Sequence, residues 1–465
     1  MLTRRTFLVR SFLSCLILGT ALFPLVPTSA VAQEGDRPMT FMDAQLFKRA
    51  GSYTPSPDGQ WMLYTVSTPN WEEANSQSDI HLVNMRDGYT SSRQLTFTDD
   101  SNEGSPAWAP DGSYFLFASN RDASGNGRGS QLYLMRTDGG EARKITEMKD
   151  GVGRFEFSPD GMWLAFQSGP SGQAQLYILP ASDLTKAEPE KLTDHEAGVR
   201  QWEWAPDSKS IYFIRADSFD QAEKDRREEG FTVDVKNMIT PLSNLWVLDL
   251  GTEEARQLTT DPEVDVRNFT LSDDGLWIGF TGGSTKRYER NITGARLYAD
   301  LFLMEVATGH IERLTENFEI GEGGPSFSPD GRWVAYMAPE DMTQYSMTET
   351  KAYVRDVTDR GGDFRMLGSD FDNSIRGGFW SEDGNTFYFG AGIKVTQQLF
   401  ALDIRSGGVT QVTSERAALS VNRDDDSGVI LINYSDPWTY PTVFTVPSLQ
   451  QVTDRGRWTQ LVDVN

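Results

Sequence analysis

The sequence predicts an all-β protein, an eight-bladed β-propeller with seven blades as the alternative. A turn-and-strand phrase returns eight times, a phrase made of a short polar strand and an aliphatic-threonine pair closes each copy, and an apolar strand lies between them. Each copy therefore offers about four strands, and repeats of about 40 to 50 residues with four strands are typical of propeller blades. We expect each blade to be a four-stranded antiparallel sheet.

The turn phrase is clearest at Ser328-Pro329-Asp330-Gly331, which precedes an apolar strand at residues 332–337. Proline presets φ at the second turn position, aspartate bonds back to its own backbone, and glycine adopts the left-handed conformation. The strand after the turn has large apolar side chains on both faces, which indicates a sheet packed on both sides. The eight copies begin at Ser56, Ala109, Ser158, Ala205, Ser272, Ser328, Ser381 and Asp424.

The closing phrase is an aliphatic residue followed by threonine. It occurs as Leu95-Thr96, Ile145-Thr146, Leu192-Thr193, Leu258-Thr259, Leu314-Thr315, Val412-Thr413 and Val452-Thr453, with Leu367-Gly368 standing in once. The strand between the phrases is clearest at residues 132–135, 176–179, 245–248, 301–304 and 399–402. An irregular all-β protein with frequent Pro-Asp-Gly turns is the alternative, and the ordered return of all three parts argues against it.

Residues 1–32 are predicted to be an export signal of the twin-arginine type. Arg4 and Arg5 precede an apolar run at residues 12–26, and the small residues 30–32 form a cleavage site. A membrane anchor is the alternative, but the run is short and is interrupted by proline. We therefore expect a mature protein that is periplasmic or secreted.

The composition excludes several classes of function. The chain has 67 acidic and 43 basic residues and a formal net charge of −24, which argues against binding nucleic acid or an anionic membrane surface. The single cysteine, Cys15, lies in the signal, so the mature protein would have no disulfide and no thiolate metal site. No His-x-His or His-Glu-x-x-His pair is present, and we predict no metal site and no cofactor.

The mature chain divides into a helical lead-in at residues 33–50, a propeller at 51–454 and a tail at 455–465. Thr40 is expected to cap a short helix in the lead-in. Charged insertions interrupt the repeat at residues 216–243 and 282–291, and loops of this length in a regular repeat are often functional.

The chain resembles the non-catalytic propeller of serine peptidase family S9, the prolyl oligopeptidase and acylaminoacyl-peptidase group, and more distantly TolB-like propellers. The resemblance rests on residues 39–43 before the first turn phrase, Ser119-Asn120-Arg121 with residues 138–142, the charged insertion before residues 244–250, and Tyr434-Ser435-Asp436-Pro437 with Tyr440-Pro441. It covers nearly all of the mature chain, and the tail resembles the join to a hydrolase domain.

Members of this family continue into an α/β-hydrolase domain whose serine nucleophile lies in a Gly-x-Ser-x-Gly elbow. The sequence contains no such string, and the nearest one, at residues 168–172, has the wrong spacing. The three histidines, His81, His195 and His310, lie at repeat positions that ordinary residues fill in other copies. We therefore predict that no catalytic residue is present and that the histidines are structural.

The resemblance implies a propeller that gates and binds peptides for a hydrolase domain absent from this chain. In relatives that remove dipeptides, a glutamate pair on a propeller insertion holds the terminal amine of the peptide. The candidate substrate-binding residues are Glu228 and Glu229 for the amine, and Arg287, Tyr288, Arg290 and Arg296 for carbonyl or carboxylate groups.

A stand-alone TolB-like propeller that binds other periplasmic proteins is the alternative function. A polysaccharide-cleaving propeller is disfavoured because histidines are not clustered. The expected partners are peptides and a hydrolase domain or another periplasmic protein, with neither nucleic acid nor, after signal removal, a membrane among them.

Overall fold

The computed structural model describes residues 39–122, 129–233, 241–283, 299–316, 322–341 and 348–465. The chain divides into two units, Met1–Ala44 and Gln45–Asn465, and the second holds every described strand. Helix α1 (Phe41–Leu46) lies at their boundary, within the predicted lead-in. Thr40 and Asp43 form a reciprocal capping box, with Asp43 N–H donating to Thr40 Oγ1 at 3.2 Å. The predicted signal lies outside the described residues.

The described strands form eight consecutive groups of four. Groups one to four are β1 (Arg49–Pro55), β2 (Trp61–Asn70), β3 (Asn75–Asn84), β4 (Arg93–Gln94); β5 (Glu103–Trp108), β6 (Tyr114–Ser119), β7 (Gln131–Arg136), β8 (Arg143–Lys144); β9 (Val152–Phe157), β10 (Trp163–Ser168), β11 (Gln175–Pro180), β12 (Glu190–Lys191); and β13 (Val199–Trp204), β14 (Ser210–Ala216), β15 (Ser243–Asp249), β16 (Glu254–Gln257). Helix α2 (Gln221–Glu228) lies between β14 and β15.

The remaining groups continue the same order along the chain. Groups five to eight are β17 (Asp265–Leu271), β18 (Trp277–Gly283), β19 (Ala299–Glu305), β20 (His310–Arg313); β21 (Ser326–Phe327), β22 (Trp333–Pro339), β23 (Thr350–Asp356), β24 (Arg365–Leu367); β25 (Gly378–Trp380), β26 (Thr386–Ile393), β27 (Thr396–Asp403), β28 (Val409–Gln411); and β29 (Ala418–Arg423), β30 (Ile430–Ser435), β31 (Thr442–Val446), β32 (Thr459–Gln460). Single turns of 3₁₀ helix occur at Gly88–Ser91, Ala181–Asp183, Leu449–Gln451 and Arg455–Arg457.

Within each group the strands pair antiparallel in chain order. Groups seven and eight are joined into one sheet by a single parallel pair, Gln397 with Ala418. The predicted all-β propeller of four-stranded antiparallel sheets is confirmed. The choice between eight and seven blades stays a prediction, although each of the eight turn phrases joins the first and second strands of a different group.

The turn phrase is held by its serine and aspartate. In the first copy Ser56 Oγ donates to Asp58 Oδ1 at 2.6 Å and accepts from Trp61 N–H at 2.9 Å. The hydrogen bond from Ser56 is the main reason that the pKa of Asp58 lies below its usual value. The same pair of contacts recurs in the copies that begin at Ser158, Ser272, Ser328 and Ser381.

The glycine of the turn also brings successive groups together. Gly275 has a φ of +68°, and a Cβ added there would lie 3.2 Å from Pro206 Cδ in the turn of the preceding group. Gly161 approaches Pro110 in the same way, at 3.0 Å. The turns of neighbouring groups therefore contact one another on one face of the propeller, which we call the turn rim.

The threonine of the closing phrase ties the fourth strand to the third. Thr259 Oγ1 accepts from Leu245 N–H at 2.9 Å and donates to Asn244 Oδ1 at 3.0 Å. The corresponding threonine hydroxyl accepts a third-strand N–H at Thr96, Thr146, Thr193, Thr315 and Thr413. A buried backbone donor left without an acceptor is costly, which explains why the phrase ends in threonine.

Two groups depart from this pattern. In group six Gly368 replaces the threonine, and the buried Lys351 ammonium donates to the carbonyl oxygens of Phe371 and Asn373. In group eight Leu461 N–H donates to Val443 O at 2.8 Å, as Leu95 N–H does to Ile80 O in group one. The closing position is therefore Leu461-Val462, and its assignment to Val452-Thr453 was wrong. The last strand, β32, lies within the tail predicted at 455–465.

The first and last groups meet through side chains. A buried cluster combines Met62, Tyr64, Val66, Val83 and Met85 with Leu431, Val443, Leu461 and Val462. Among the described residues each terminal group uses four consecutive strands, so neither contributes a strand to the other. The ring closes by packing of two complete sheets.

Candidate functional site

Strand direction separates the two faces of the propeller. Because the four strands of a group alternate in direction, the hairpin between the second and third strands lies on the face where each first strand begins and each fourth strand ends. We call this face the insertion rim. Both charged insertions leave from second-to-third hairpins, in groups four and five, and therefore from this rim. Lys48, before β1, and Asn465, after β32, also lie here.

Helix α2 is the described part of the group-four insertion. Asp220 caps it by accepting Glu223 N–H at 2.8 Å, and none of its residues is buried. Arg226 and Arg227 each contact Glu223 at 2.6 Å, and the hydrogen bond from Arg226 is the main reason that the pKa of Glu223 falls to about 2. Lys224 pairs with Glu196 at 2.7 Å, which attaches the helix to the crossing from group three to group four.

Glu228 and Glu229 are consecutive residues at the end of this helix. Glu228 is its last residue, Glu229 is its C-cap, and both are exposed. Among the described contacts neither carboxylate makes a hydrogen bond or an ion pair. Negative charge at a helix C-terminus opposes the helix dipole, so the pair is electrostatically suited to accept a cation. The other four candidates, Arg287, Tyr288, Arg290 and Arg296, lie outside the described residues.

The histidines lie where the repeat predicted. His81 is in β3, with its ring centroid 5.3 Å from that of Tyr64, and burial lowers its pKa. His195 is in the crossing between groups three and four, and burial lowers its pKa as well. His310 begins β20. No hydrogen bond in the described structure joins a serine hydroxyl to one of these imidazoles, and no cluster of His, Cys, Asp and Glu in the described ranges is suited to a metal ion.

The first strands form the inner wall of the propeller. Side chains on one first strand bond to the backbone of the next: Trp108 Nε1 donates to Thr54 O at 2.8 Å, and Gln201 Nε2 donates to Phe269 O at 2.7 Å. Arg154 Nη1 likewise donates to Trp202 O at 2.7 Å. The inner edge of each first strand pairs with no other strand of its group and faces the centre of the ring.

The first strands of five groups each contain a β-bulge at a similar position. The sequence analysis did not predict these bulges. The pairing register between first and second strands shifts in each of groups one to five, near the insertion rim. Ser52 and Ser105, in the first two bulges, both have a φ of +50°. Arg154 lies in the third bulge, and Arg200 and Arg267 are the extra residues of the fourth and fifth. We call these five residues the bulge row.

A sequence signal for the bulge row exists in retrospect. Arginine stands five residues before the turn phrase at Arg200, Arg267 and Arg376, and four residues before it at Arg154. In groups one and two, Ser52 and Ser105 also stand four residues before the turn phrase. The bulges themselves could not be predicted from the sequence. An extra residue in a strand changes the spacing between turn phrases in the same way as an extra residue in a loop.

Comparison with known proteins identifies peptidases as relatives. The chain is 25% identical over 421 residues to dipeptidyl-peptidase 5 of Porphyromonas gingivalis, an alignment that covers 89% of this chain and 55% of that protein. It is 25% identical over 284 residues to an uncharacterized peptidase of Bacillus subtilis, covering 61% and 28% of the two chains. No model of a known protein family matches. The predicted resemblance to the propellers of S9 peptidases is confirmed.

The solved structures agree on the fold. The crystal structure of Porphyromonas gingivalis dipeptidyl peptidase 4 has a TM-score of 0.61, with 13% sequence identity, and the match covers 93% of this chain and 62% of that one. The chain spans about half the length of dipeptidyl-peptidase 5 of Porphyromonas gingivalis. Within the described ranges no helix has both the length and the apolar character needed to cross a bilayer.

Proposed function

We propose that this chain is the non-catalytic propeller of an exported S9-type peptidase, which binds and gates peptides for an α/β-hydrolase domain. The observation that carries the proposal is the pair of exposed carboxylates, Glu228 and Glu229, on the insertion rim. The relatives are peptidases and dipeptidyl peptidases, and an enzyme that removes dipeptides must locate the terminal amine of its substrate. Two adjacent carboxylates can accept the hydrogen bonds of one ammonium group.

The hydrolase domain would dock on the insertion rim. Lys48 and Asn465 place both ends of the described propeller there. Exposed apolar side chains stand on second-to-third hairpins of the same rim, with Trp438 at 91% and Val395 at 97% exposure. Exposed aromatic residues of this kind are common anchors of protein interfaces. The twin-arginine signal would deliver the complex to the periplasm or the exterior.

A binding experiment with the purified chain tests the amine site. An uncharged octapeptide with a free amine and a C-terminal amide is titrated calorimetrically against the wild type, Glu228→Gln/Glu229→Gln and the control Glu188→Gln. Glu188 is an exposed glutamate on the turn rim with no described partner. The proposal expects the wild type and the control to bind the free amine more tightly than its acetylated form, and the double variant to lose that preference.

Three results would contradict the proposal. Absence of peptide binding would favour the stand-alone scaffold, as would a stable complex with a periplasmic protein that is not a hydrolase. Turnover of peptidyl or aminoacyl chromogenic substrates by the purified chain, with labelling by a fluorophosphonate, would contradict the assignment of the chain as non-catalytic. Co-purification of a hydrolase from the source cells would support it.

A further inference from the structure

We infer that the bulge row, centred on Arg200, is a carboxylate-binding site at the insertion rim that selects peptides carrying a free carboxylate near the bound segment. The inference rests on the proposed peptide-binding function and adds a substrate class to it. The ligand chemistry is a carboxylate, either the C-terminus of the peptide or an acidic side chain.

The β-bulges change the direction of single side chains on the first strands. A bulge adds one residue to a strand without a pairing partner and changes the direction of its side chain. In group four Val199 pairs with Arg215 and Gln201 pairs with Ile214, so Arg200 is the residue left over. In group five Val266 pairs with Gly282 and Asn268 with Thr281, which leaves Arg267 in the same position.

Arg200 has the features of an anion-binding residue. Its side chain is exposed, and Nη1 donates at 2.8 Å to Oγ of Ser243, on the third strand of the same group. Ser243 is itself fixed, because its N–H donates to the buried Asp265 at 2.8 Å. The hydrogen bond that orients the guanidinium is with a neutral hydroxyl. The fork of remaining N–H donors matches the two oxygens of a carboxylate.

The neighbouring charges restrict the site to the Arg200 position. Arg154 is paired with Glu156 at 2.6 Å, and its guanidinium lies 4.8 Å from the ring centre of Trp202. Arg267 lies against Gly283, on the neighbouring strand β18 of its own group. Glu203, below Arg200 on β13, accepts from Leu271 N–H and Gln201, and burial raises its pKa. The two flanking arginines extend the row but are held by other contacts, which leaves Arg200 oriented by a neutral partner.

The location also fits a peptide held at both ends. Ser243 is the last residue of the insertion that carries Glu228 and Glu229, and it begins the strand β15. The amine site and the Arg200 site therefore belong to the same group and the same rim. A peptide bound through its amine at the glutamate pair would extend along this rim toward Arg200.

Calorimetric titration of three octapeptides separates the sources of the carboxylate. All have a free amine and otherwise uncharged residues: the first ends in an amide, the second ends in a free acid, and the third ends in an amide and contains one glutamate. We expect at least one carboxylate peptide to bind about tenfold more tightly than the first, as one charge-assisted hydrogen bond would give. The better of the two identifies the source.

Variants assign the preference to Arg200. Arg200→Gln should remove the tenfold gain and leave the affinity for the uncharged peptide unchanged, whereas Arg200→Lys should keep part of the gain. Ser243→Ala removes the hydroxyl that orients the guanidinium but keeps the positive charge of Arg200. It should reduce the gain in affinity for the carboxylate peptide. The control is Arg405→Gln, an exposed arginine on the turn rim, which should retain the full gain.

The outcomes distinguish this inference from the proposed function. Equal affinity for all three peptides in the wild type, or a gain that survives Arg200→Gln, overturns the carboxylate site while the peptide-binding function stands. A gain that disappears equally in Arg405→Gln also overturns it, because the effect would then be one of total charge. No binding of any of the three peptides overturns both.

Discussion

Lys48 and Asn465 hold each other across 417 residues of sequence, with Lys48 N–H donating to Asn465 Oδ1 at 2.8 Å and Asn465 Nδ2 donating to Lys48 O at 3.0 Å. This contact lies on the insertion rim, where the first and last groups meet. The buried cluster that includes Leu461 joins the same two groups. The seam has no shared strand, so its stability depends on these side chains.

Leu461→Ala should therefore weaken the closure of the ring. Leu461 is fully buried in the cluster that joins groups one and eight. Removing a buried leucine costs about 2–5 kcal/mol of the free energy of unfolding. Urea denaturation followed by tryptophan fluorescence measures the change, with the exposed Leu276 as the matched control. Equal midpoints for Leu461→Ala and Leu276→Ala would show that the seam does not carry stability.

Thr259→Val should destabilise the protein although it preserves shape. The substitution removes the hydroxyl that accepts Leu245 N–H and leaves a buried backbone donor unsatisfied, which costs about 1–3 kcal/mol. Thr260→Val, at the exposed next position, should change the free energy of unfolding little. The same denaturation experiment compares the two variants. A similar loss of stability in both would contradict a stabilising role of the hydrogen bond between Leu245 N–H and the Thr259 hydroxyl.

Gly275→Ala should cost more stability than Gly112→Ala. Both glycines occupy the same position of the turn phrase, with φ of +68° and +69°, so both lose about 1–2 kcal/mol from the left-handed backbone. Only Gly275 lies against a neighbouring turn, at Pro206, whereas nothing lies within 4 Å of the Cβ position at Gly112. The difference between their melting temperatures therefore reports the contact between turns. Equal melting temperatures would mean that the turn of group five moves away from Pro206 without a loss of stability.

Helix α2 should lose protection from hydrogen exchange as the pH falls. Because the arginine contacts lower the pKa of Glu223 to about 2, its ion pairs contribute fully above the ordinary value of 4.5 and are lost as the pH falls through about 2. Protection factors of the 221–228 amides, corrected for intrinsic exchange, should fall between roughly pH 4.5 and pH 2. In Glu223→Gln they should be low and independent of pH over that window. A pH dependence that persists in the variant would point to another group.

Sequence reasoning recovered the repeat because each phrase has a local physical cause. Turn residues such as Asp58 and Gly59 act within a few positions of one another, so their spacing is visible without knowledge of the fold. The closing threonines were visible as a pattern, but their role was not, since Thr259 acts on Leu245 across a strand pair.

The inner wall was not predicted because its features depend on registers that the sequence does not show. Arg200 is an ordinary strand residue until Val199 and Gln201 are paired with Arg215 and Ile214. The last strand was missed for a related reason: β32 has two residues and lacks the threonine of the other closing phrases. Long-range pairing, rather than local propensity, identified it.

Group six shows how a repeat can diverge without losing its function in the fold. Where Gly368 has no hydroxyl to offer, the long side chain of Lys351 reaches the crossing segment and fixes it through carbonyl oxygens. A copy whose signature looks eroded has thus exchanged one means of anchoring for another. Replacing Lys351 with an uncharged residue would therefore leave the crossing segment without this anchor, and Gly368 has no side chain that could replace it.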